Sequence, residues 1–267
     1  MVIITALAIS KAKHVHFQGP ISSSCMVHGA SFDVPLDPGQ ARIAAIIAGV
    51  ASRRGMPERA VTIAYAAALQ ESDLQNLSYG DRDSVGVFQQ RPSEGWGTRR
   101  QLLDPVYATN RFFGALAAVP HYRRLSVAQA AQAVQRSADG TAYVQYAPQG
   151  AAMASGFSGR LSHAVWCWYG NEFSGHSRLR TAERELRHTF GRISISRLGD
   201  PGATVRARSK AAGWVVAAWL VSHASQYKIS HVSYQGYEWR AAHARKGWTI
   251  VARPGHRPAA RMGIAFG

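Results

Sequence analysis

An almost wholly apolar segment of the chain ends in a carboxylate. Residues 58–71 are apolar on nearly every face, which is typical of a helix that is buried all round. Pro57 suits the first helical position, where a missing N–H costs nothing. Glu71 then lies in the last turn, beside the negative end of the helix dipole and a dry core, and both surroundings oppose ionisation of its carboxyl group. The alternative is a helix-terminal Glu that reaches solvent.

Cap signals predict further helices in the first half of the chain. Asp37 and Asp104 each precede a proline, and Gly55 follows the first of these helices, which are the residue types that begin and end helices. Ser126 and Gln129 form a capping-box pattern. The predicted helices cover residues 37–54, 104–118, 126–137 and, from a weaker pattern, 141–155.

Residues 78–97 interrupt the helical pattern. They are rich in Gly, Asp, Ser and Pro and contain one short apolar run, at residues 85–88. This composition predicts a small hairpin-like lobe. We therefore expect residues 25–170 to form a mainly α domain with a small β lobe.

The pattern changes after residue 170. A linker-like stretch at 171–177 precedes a charged amphipathic helix at 178–190, and short strands are predicted at 192–197, 203–208, 231–235, 237–241 and 248–252, around a helix at 211–227. Residues 171–267 are thus predicted to form a small α+β domain. Tryptophans at positions 214, 219, 239 and 248 are either a sugar-stacking face or core, and core is the commoner role at such spacings.

Residues 1–24 are predicted to lie outside both domains. Residues 2–9 are apolar but far too short to span a bilayer. We interpret this segment as the trailing part of an anchor or signal sequence, followed by a tether. It would either hold the protein at a membrane or mark it for secretion.

The charge balance is strongly basic. The chain has 31 Lys and Arg against 15 Asp and Glu, a formal net charge of +16. Such a field attracts nucleic acid, anionic lipid or an anionic cell wall, and so it indicates the sign of a partner without its identity. An Arg-rich composition also follows from a GC-rich genome alone.

Two short motifs resemble a known family. Glu71-Ser72, followed by Ser84-Val-Gly-Val-Phe-Gln89, is similar to the paired signature of lytic transglycosylases and goose-type lysozymes. The longer run from Arg59 to Phe113 resembles a largely uncharacterised group of actinobacterial envelope proteins with a lysozyme-like domain. The resemblance covers about residues 25–167 and implies a lysozyme-like fold for the first domain.

The resemblance also implies roles for individual residues. Glu71 would be the catalytic acid/base, and in a hydrolytic version of the reaction Asp81 or Asp83 would supply a second carboxylate. Substrate-binding residues would be Ser72 and Gln89, which position the glycan; Gly86, which allows close approach of a sugar; and Tyr79 and Trp96, which form walls for sugar rings together with Tyr107.

One element of the family pattern is missing. Many lytic transglycosylases carry an A-x-x-Y motif whose tyrosine approaches the catalytic glutamate, and the first domain contains none. Gln135 or Tyr143 would have to substitute for it. This departure weakens the expectation of activity more than that of the fold, and a glycan-binding protein without catalysis stays open.

Cys25 and Cys167 are the only cysteines and flank the lysozyme-like region. The group that the chain resembles carries cysteines at similar flanks, which implies a disulfide that closes the domain. Two unrelated buried thiols are the alternative. A disulfide would imply an oxidising location outside the cytosol, and we expect a secreted or membrane-anchored envelope protein.

No cofactor or metal is expected from the motifs. Residues 81–86 look like the start of a calcium loop, but Pro92 stands where its glutamate ligand would be.

The expected function is cleavage of peptidoglycan glycan strands by a lytic transglycosylase or muramidase mechanism. The expected partners are those strands and anionic cell-wall polymers, with no specific nucleic acid. The rival hypothesis is a non-catalytic scaffold that binds the cell wall.

Overall fold

The computed structural model describes residues 22–137, 140–170, 176–197, 202–251 and 261–266. Three predicted features fall partly or wholly outside these ranges. They are the N-terminal anchor and tether, most of the linker after residue 170, and the end of the strand predicted at 248–252. The described chain is a mixed α+β protein in which helices pack with antiparallel sheets.

The first helix follows its sequence signals. Helix α1 spans Pro38–Arg54, and the Asp37 side chain accepts a hydrogen bond from the backbone N–H of Gln40. The Gln40 side chain in turn accepts from the Asp37 backbone, which completes a capping box. Gly55 ends the helix in the left-handed conformation, at φ 65°.

Helix α2 spans Glu58–Ser72 and forms the centre of the first domain. Every residue from Ala60 to Leu69 is buried, which confirms the prediction of a helix enclosed on all sides. Helix α6, Ala147–Phe157, packs against it closely because Gly150 has no side chain. A Cβ at Gly150 would lie 2.9 Å from the carbonyl oxygen of Thr62.

The other helices of the first domain also begin near their predicted caps. Asp104 caps α4 and Ser126 caps α5 through side-chain bonds to backbone N–H groups. The weakly predicted helix at 141–155 is shorter than expected, since a 3₁₀ turn at Val144–Tyr146 precedes α6. The remaining bounds are α3, Arg99–Leu102; α4, Pro105–Ala118; and α5, Val127–Gln135.

A three-stranded antiparallel sheet joins the two ends of this domain. Its strands are β1, Ser24–Val27; β2, Val34–Leu36; and β3, Val165–Trp168, in the order β2-β1-β3. Cys25 and Cys167 lie directly opposite each other on β1 and β3 and form a disulfide. The predicted disulfide is thus confirmed, and it indicates an oxidising environment outside the cytosol.

The hairpin-like lobe expected at 78–97 is reduced to its closing residue pair. Val85 and Gln90 make a single isolated bridge around a tight turn, and a 3₁₀ helix follows at Pro92–Glu94. Gly86 at φ 81° and Gln89 at φ 45° are both left-handed. Extended strands cannot continue through such residues, so the apolar run becomes a buried turn.

The second part of the chain is a six-stranded antiparallel sheet with helices. Helix α7, Leu179–Phe190, precedes the sheet, and α8, Lys210–Ser222, and α9, Ala224–Tyr227, lie between its strands in sequence. Five strands were predicted from the sequence and β9 was not. The strands are β4, Ser194–Arg197; β5, Gly202–Arg206; β6, Ile229–Tyr234; β7, Tyr237–Arg240; β8, Thr249–Ile250; and β9, Arg261–Phe266, in the order β4-β5-β9-β6-β7-β8.

The two parts share one hydrophobic core. Helix α8 is buried along most of its length and packs against α1, β3 and β6. The indole N–H of Trp239 donates to the Cys167 carbonyl at 3.0 Å, and that of Trp248 donates to the Val165 carbonyl at 2.7 Å. These tryptophans therefore attach the second part to β3, as expected of core residues. The domain boundary near residue 170 stays a prediction.

A search of the described residues for helices that are long and apolar enough to cross a membrane finds none.

Candidate active site around Glu71

Glu71 lies where α2 ends and the chain turns sharply. Asp73 and Leu74 follow it in the left-handed conformation, at φ 51° and 57°. Two successive non-glycine residues of this kind are costly. Leu74 is fully buried, and its N–H bonds to the Ala68 carbonyl at 3.1 Å, so packing and hydrogen bonding offset the strain. The turn leaves Glu71 half-buried at the end of the helix.

A buried tyrosine contacts the Glu71 carboxylate directly. The hydroxyl of Tyr143 donates a hydrogen bond to Oε1 of Glu71 at 2.6 Å. Tyr143 is fully buried, just before the 3₁₀ turn that leads into α6. It is one of the two residues proposed above to replace the missing family tyrosine. The other, Gln135, donates to the Phe88 carbonyl at 2.8 Å and makes no hydrogen bond to Glu71 within the described part of the chain.

Ser72 connects the end of α2 to the turn at residues 85–90. Its hydroxyl lies 2.7 Å from the Val87 carbonyl and 3.2 Å from the Ala68 carbonyl, and it accepts from the Gln75 N–H at 3.2 Å. The side chain is buried. The sequence gives Ser72 a substrate-binding role, whereas its contacts here fix the backbone on both sides of Glu71.

The Gln89 side chain bonds within its own loop. Its Nε2 donates to the carbonyls of Gly86 at 3.1 Å and Tyr79 at 3.3 Å, and its Oε1 accepts from the Ser84 hydroxyl at 3.0 Å. Both amide hydrogens and the carbonyl oxygen are therefore engaged by protein. Gln89 holds the loop together, and unless one of these contacts opens, only the second lone pair of Oε1 is left to accept a hydrogen bond from a glycan.

Gly86 packs closely against the protein backbone at Leu102, and not against an open surface where a sugar could bind. A Cβ at this position would lie 2.4 Å from the Leu102 carbonyl oxygen. The backbone at φ 81° also favours glycine. Because Gly86 is buried, its role in the structure is to seat the turn against α3, and the predicted contact with a sugar is not formed by this face.

The two aspartates of the loop have different surroundings. The Asp83 carboxylate accepts from the backbone N–H and the hydroxyl of Ser93, at 2.8 and 2.9 Å, and from Arg91 at 3.1 Å. The backbone hydrogen bond from Ser93 is the main reason that the pKa of Asp83 is lowered. The Asp81 side chain is 92% exposed, and among the described residues its ion-pair partner is Arg82 at 3.9 Å. Asp83 thus anchors the loop, whereas the Asp81 side chain reaches solvent.

Of the three aromatic residues expected to form walls for sugar rings, Trp96 and Tyr107 line one groove, and Tyr79 does not line it. Tyr79 is 70% exposed, beside the loop that carries Gln89. Trp96 is partly buried, and its carbonyl accepts from the Tyr107 hydroxyl at 3.4 Å. Trp96 and Tyr107 together form one wall of a groove of about 1270 Å³. We call it the α4–α5 groove, since those helices supply most of its other lining residues.

The α4–α5 groove reaches the turn at residues 85–90, but Glu71 itself does not line it. Gln135 lines the groove and bonds to the Phe88 carbonyl within that turn. Arg54, Arg111 and Arg136 also line it, against a single carboxylate, Glu94. The groove is therefore basic, which suits an anionic polymer.

Sequence reasoning found Trp96 and Tyr107 but missed the rest of this wall. Asn110, Arg111 and Gly114 follow Tyr107 at helical spacings and line the same groove. Their recurrence at three, four and seven residues from Tyr107 is the signal for one helix face. A polar and glycine face opposite the buried phenylalanines of α4 could have been identified from the sequence.

Among the residues that the structure describes, no three His, Cys, Asp or Glu side chains are grouped in a way that could hold a metal ion.

The chain was compared with family models and with curated proteins. No family model matches the chain, and no curated protein matches it.

Proposed function

We propose that this protein cleaves the glycan strands of peptidoglycan, as an enzyme of the lytic transglycosylase or lysozyme type, on a lysozyme-like first domain. The observation that carries the proposal is the hydrogen bond between the Tyr143 hydroxyl and Glu71 at the end of a buried helix. A tyrosine that approaches the catalytic glutamate is part of the family pattern that the sequence resembles. Here it comes from a different place in the chain.

Glu71 acts as the general acid in the first step. Because the Tyr143 hydroxyl donates to Oε1, the proton for transfer resides on Oε2. Oε2 gives that proton to the glycosidic oxygen, the bond from this oxygen to the anomeric carbon breaks, and the leaving sugar departs with a new hydroxyl. Tyr143 holds the carboxyl group in one orientation throughout, so it is a positioning residue.

The second step needs only the same carboxylate. In the transglycosylase version, Glu71 takes a proton from the sugar's own C6 hydroxyl while that oxygen bonds to the anomeric carbon and closes a 1,6-anhydro ring. No water is consumed, and Glu71 returns to its protonated form. Asp83 is held by Ser93 and Arg91, which favours this route over hydrolysis with Asp83 as base. Asp81 stays the candidate for a hydrolytic route.

Substrate would follow the α4–α5 groove towards Glu71. Trp96 and Tyr107 offer aromatic walls, and the three arginines of the groove attract the acidic wall. Ser72, Gly86 and Gln89 support the site by fixing the turn beside Glu71. The confirmed disulfide supports a place outside the cytosol, and we propose a secreted or membrane-anchored envelope protein.

The test of this proposal is digestion of purified sacculi in water enriched in oxygen-18. Mass spectrometry of the soluble muropeptides then separates the outcomes. A transglycosylase releases anhydro-muropeptides without the heavy isotope, and a lysozyme releases reducing ends that contain it. Absence of any enzyme-dependent muropeptide would refute cleavage.

A non-catalytic cell-wall protein is the second candidate. It is favoured by one observation, that Glu71 is absent from the lining of the α4–α5 groove. Such a protein would sediment with sacculi and release no muropeptides. Its binding would fall steeply with added salt, and would be equal for wild type and Glu71→Gln.

A further inference from the structure

A second cavity lies where the two parts of the chain meet. It has a volume of about 350 Å³, and its lining comes from α1, the turn after α2, the start of α4, and helices α7, α8 and α9. Glu71 is not among the lining residues. The proposed glycan cleavage therefore makes no use of this cavity.

His223 offers this cavity a hydrogen-bond acceptor. The side chain is 3% exposed and stacks on Trp219 with ring centroids 3.9 Å apart. Its Nδ1 lies 2.8 Å from the Trp219 carbonyl, and since a carbonyl only accepts, the hydrogen of the ring is on Nδ1. Nε2 therefore carries a lone pair, for which the described residues provide no donor. Burial lowers the pKa of His223 to about 3, so the ring is neutral near pH 7.

Tyr227 offers a hydrogen-bond donor to the same cavity. It is 4% exposed and lies parallel to His223, with ring centroids 5.8 Å apart. Burial raises the pKa of its hydroxyl to about 12, so the O–H group keeps its proton. Within the described part of the chain the hydroxyl has no hydrogen-bond partner. The hydroxyl is therefore available to a ligand that enters the cavity.

The lining also contains charged side chains of both signs. Asp104 and His188 line the cavity and are bonded to each other at 2.9 Å. Arg42 lines the cavity and makes no ion pair with any residue that the structure describes, and Glu185 lines it with only its chain neighbour Arg184 as an ion-pair partner, at 3.2 Å. Arg42 and Glu185 are not paired with each other. A cavity that offers a cation, an anion, a neutral donor and a neutral acceptor suits a ligand with both charges.

We propose that this cavity binds a zwitterionic amino acid with an apolar side chain. The carboxylate of the ligand would accept from Arg42 and the Tyr227 hydroxyl. Its ammonium group would donate to Glu185 and to Nε2 of His223. The side chain would lie on the apolar part of the lining, which is formed by Ile43, Ile46, Leu74 and Val106.

Isothermal titration calorimetry of the whole chain tests this site, with leucine as the probe. N-acetylleucine lacks the ammonium charge, and leucinamide lacks the carboxylate. We expect leucine to bind and each derivative to bind at least about 10-fold more weakly, since charge-assisted hydrogen bonds are lost. The proposal would be overturned if the three compounds bound equally or if leucine did not bind at millimolar concentration. It would also be overturned if the protein bound N-acetylglucosamine, a neutral sugar, more tightly than leucine.

Variants show whether any binding occurs in this cavity. Arg42→Gln and Tyr227→Phe are each expected to weaken leucine binding, Arg42→Gln by about 10-fold or more. Arg124→Gln and Tyr122→Phe make the same chemical changes elsewhere and should leave it unchanged. Leucine binding that survives Arg42→Gln and Tyr227→Phe would place the ligand elsewhere and contradict the proposal. Glu71→Gln should bind leucine normally, which separates this proposal from that of glycan cleavage.

Discussion

For single residues, the main question is what holds the Glu71 carboxylate in place. Glu71 gains its position from the end of α2 and its orientation from the Tyr143 hydroxyl at 2.6 Å. The residues expected to touch substrate, Ser72 and Gln89, instead bond to the protein around it. The Glu71 carboxylate is thus held in a fixed orientation by the surrounding protein, as catalysis by proximity and orientation requires.

Tyr143→Phe tests the role of this hydroxyl. The variant keeps the ring in the core and removes the hydrogen bond to Glu71, so we expect muropeptide release to fall about 10- to 100-fold, as for other hydrogen bonds to charged groups. Tyr169→Phe is the matched control, because it removes a hydroxyl bonded to the Val221 carbonyl at 2.6 Å in the second part of the chain. Equal initial rates for the two variants would show that Tyr143 does not act through Glu71.

His223 makes stability depend on pH. Its pKa is about 3 in the folded protein, against an ordinary value of 6.5. Between these values the unfolded chain binds the extra proton, so the free energy of unfolding falls as the pH drops from 6.5 towards 3, by at most about 1.4 kcal/mol per pH unit from this group. Urea titrations of wild type and His223→Gln at several pH values measure the difference. Parallel pH profiles for the two proteins would contradict the assignment.

At the scale of elements, the turn at residues 85–90 supports the candidate site. Gly86 seats this turn on the Leu102 carbonyl, and Ser72 ties it to α2. The turn lies directly beside the end of the helix that carries Glu71. Its geometry therefore affects both the stability of the fold and the position of the carboxylate.

Gly86→Ala tests the need for this close approach. A Cβ would meet backbone at 2.4 Å in a left-handed conformation, so we expect a loss of about 2 kcal/mol or more in the free energy of unfolding. Gly114 is the matched control, since it lies within α4 and a Cβ there meets nothing within 4 Å. Gly114→Ala should stabilise by up to about 1 kcal/mol. A similar effect of both changes on chemical denaturation would show that the turn is adaptable.

The sequence was most informative where local physics decides the structure. The bounds of α1 and α4 follow from Asp37, Gly55 and Asp104, because a cap acts on its own backbone. The burial of α2 follows from its composition. The hairpin-like lobe predicted at 78–97 is reduced to one antiparallel pair around the turn at 85–90, since the close contact of Gly86 with Leu102 is a tertiary feature that no local pattern records.

In the candidate site, too, the sequence predicted the local feature and could not predict the tertiary contact. The sequence identified Glu71 by its place at the end of an apolar helix, and offered Tyr143 only as one of two substitutes. Distance along the chain gives no reason to pair residues 71 and 143. The contact arises because α6 packs on α2 through Gly150, which brings the preceding segment to the end of α2.

At the scale of the whole molecule, the disulfide closes a large part of the chain. Cys25 and Cys167 are 142 residues apart and join the strands at the two ends of the first domain. In the entropic model a loop of this size contributes about 5 kcal/mol, and a structured denatured state reduces that value. We expect Cys25→Ser with Cys167→Ser to lose several kcal/mol. Urea denaturation of the double variant, compared with the oxidised protein, measures this loss, and equal midpoints would contradict it.

The central claim is that Glu71 performs acid catalysis on glycan strands. The most direct measurement is the initial rate of muropeptide release from purified sacculi by wild type and Glu71→Gln, at equal concentrations of folded protein. The account predicts that the variant keeps its affinity for sacculi and loses about 10²- to 10⁴-fold in rate, since Gln cannot donate the proton. Equal rates for the two proteins would contradict the claim.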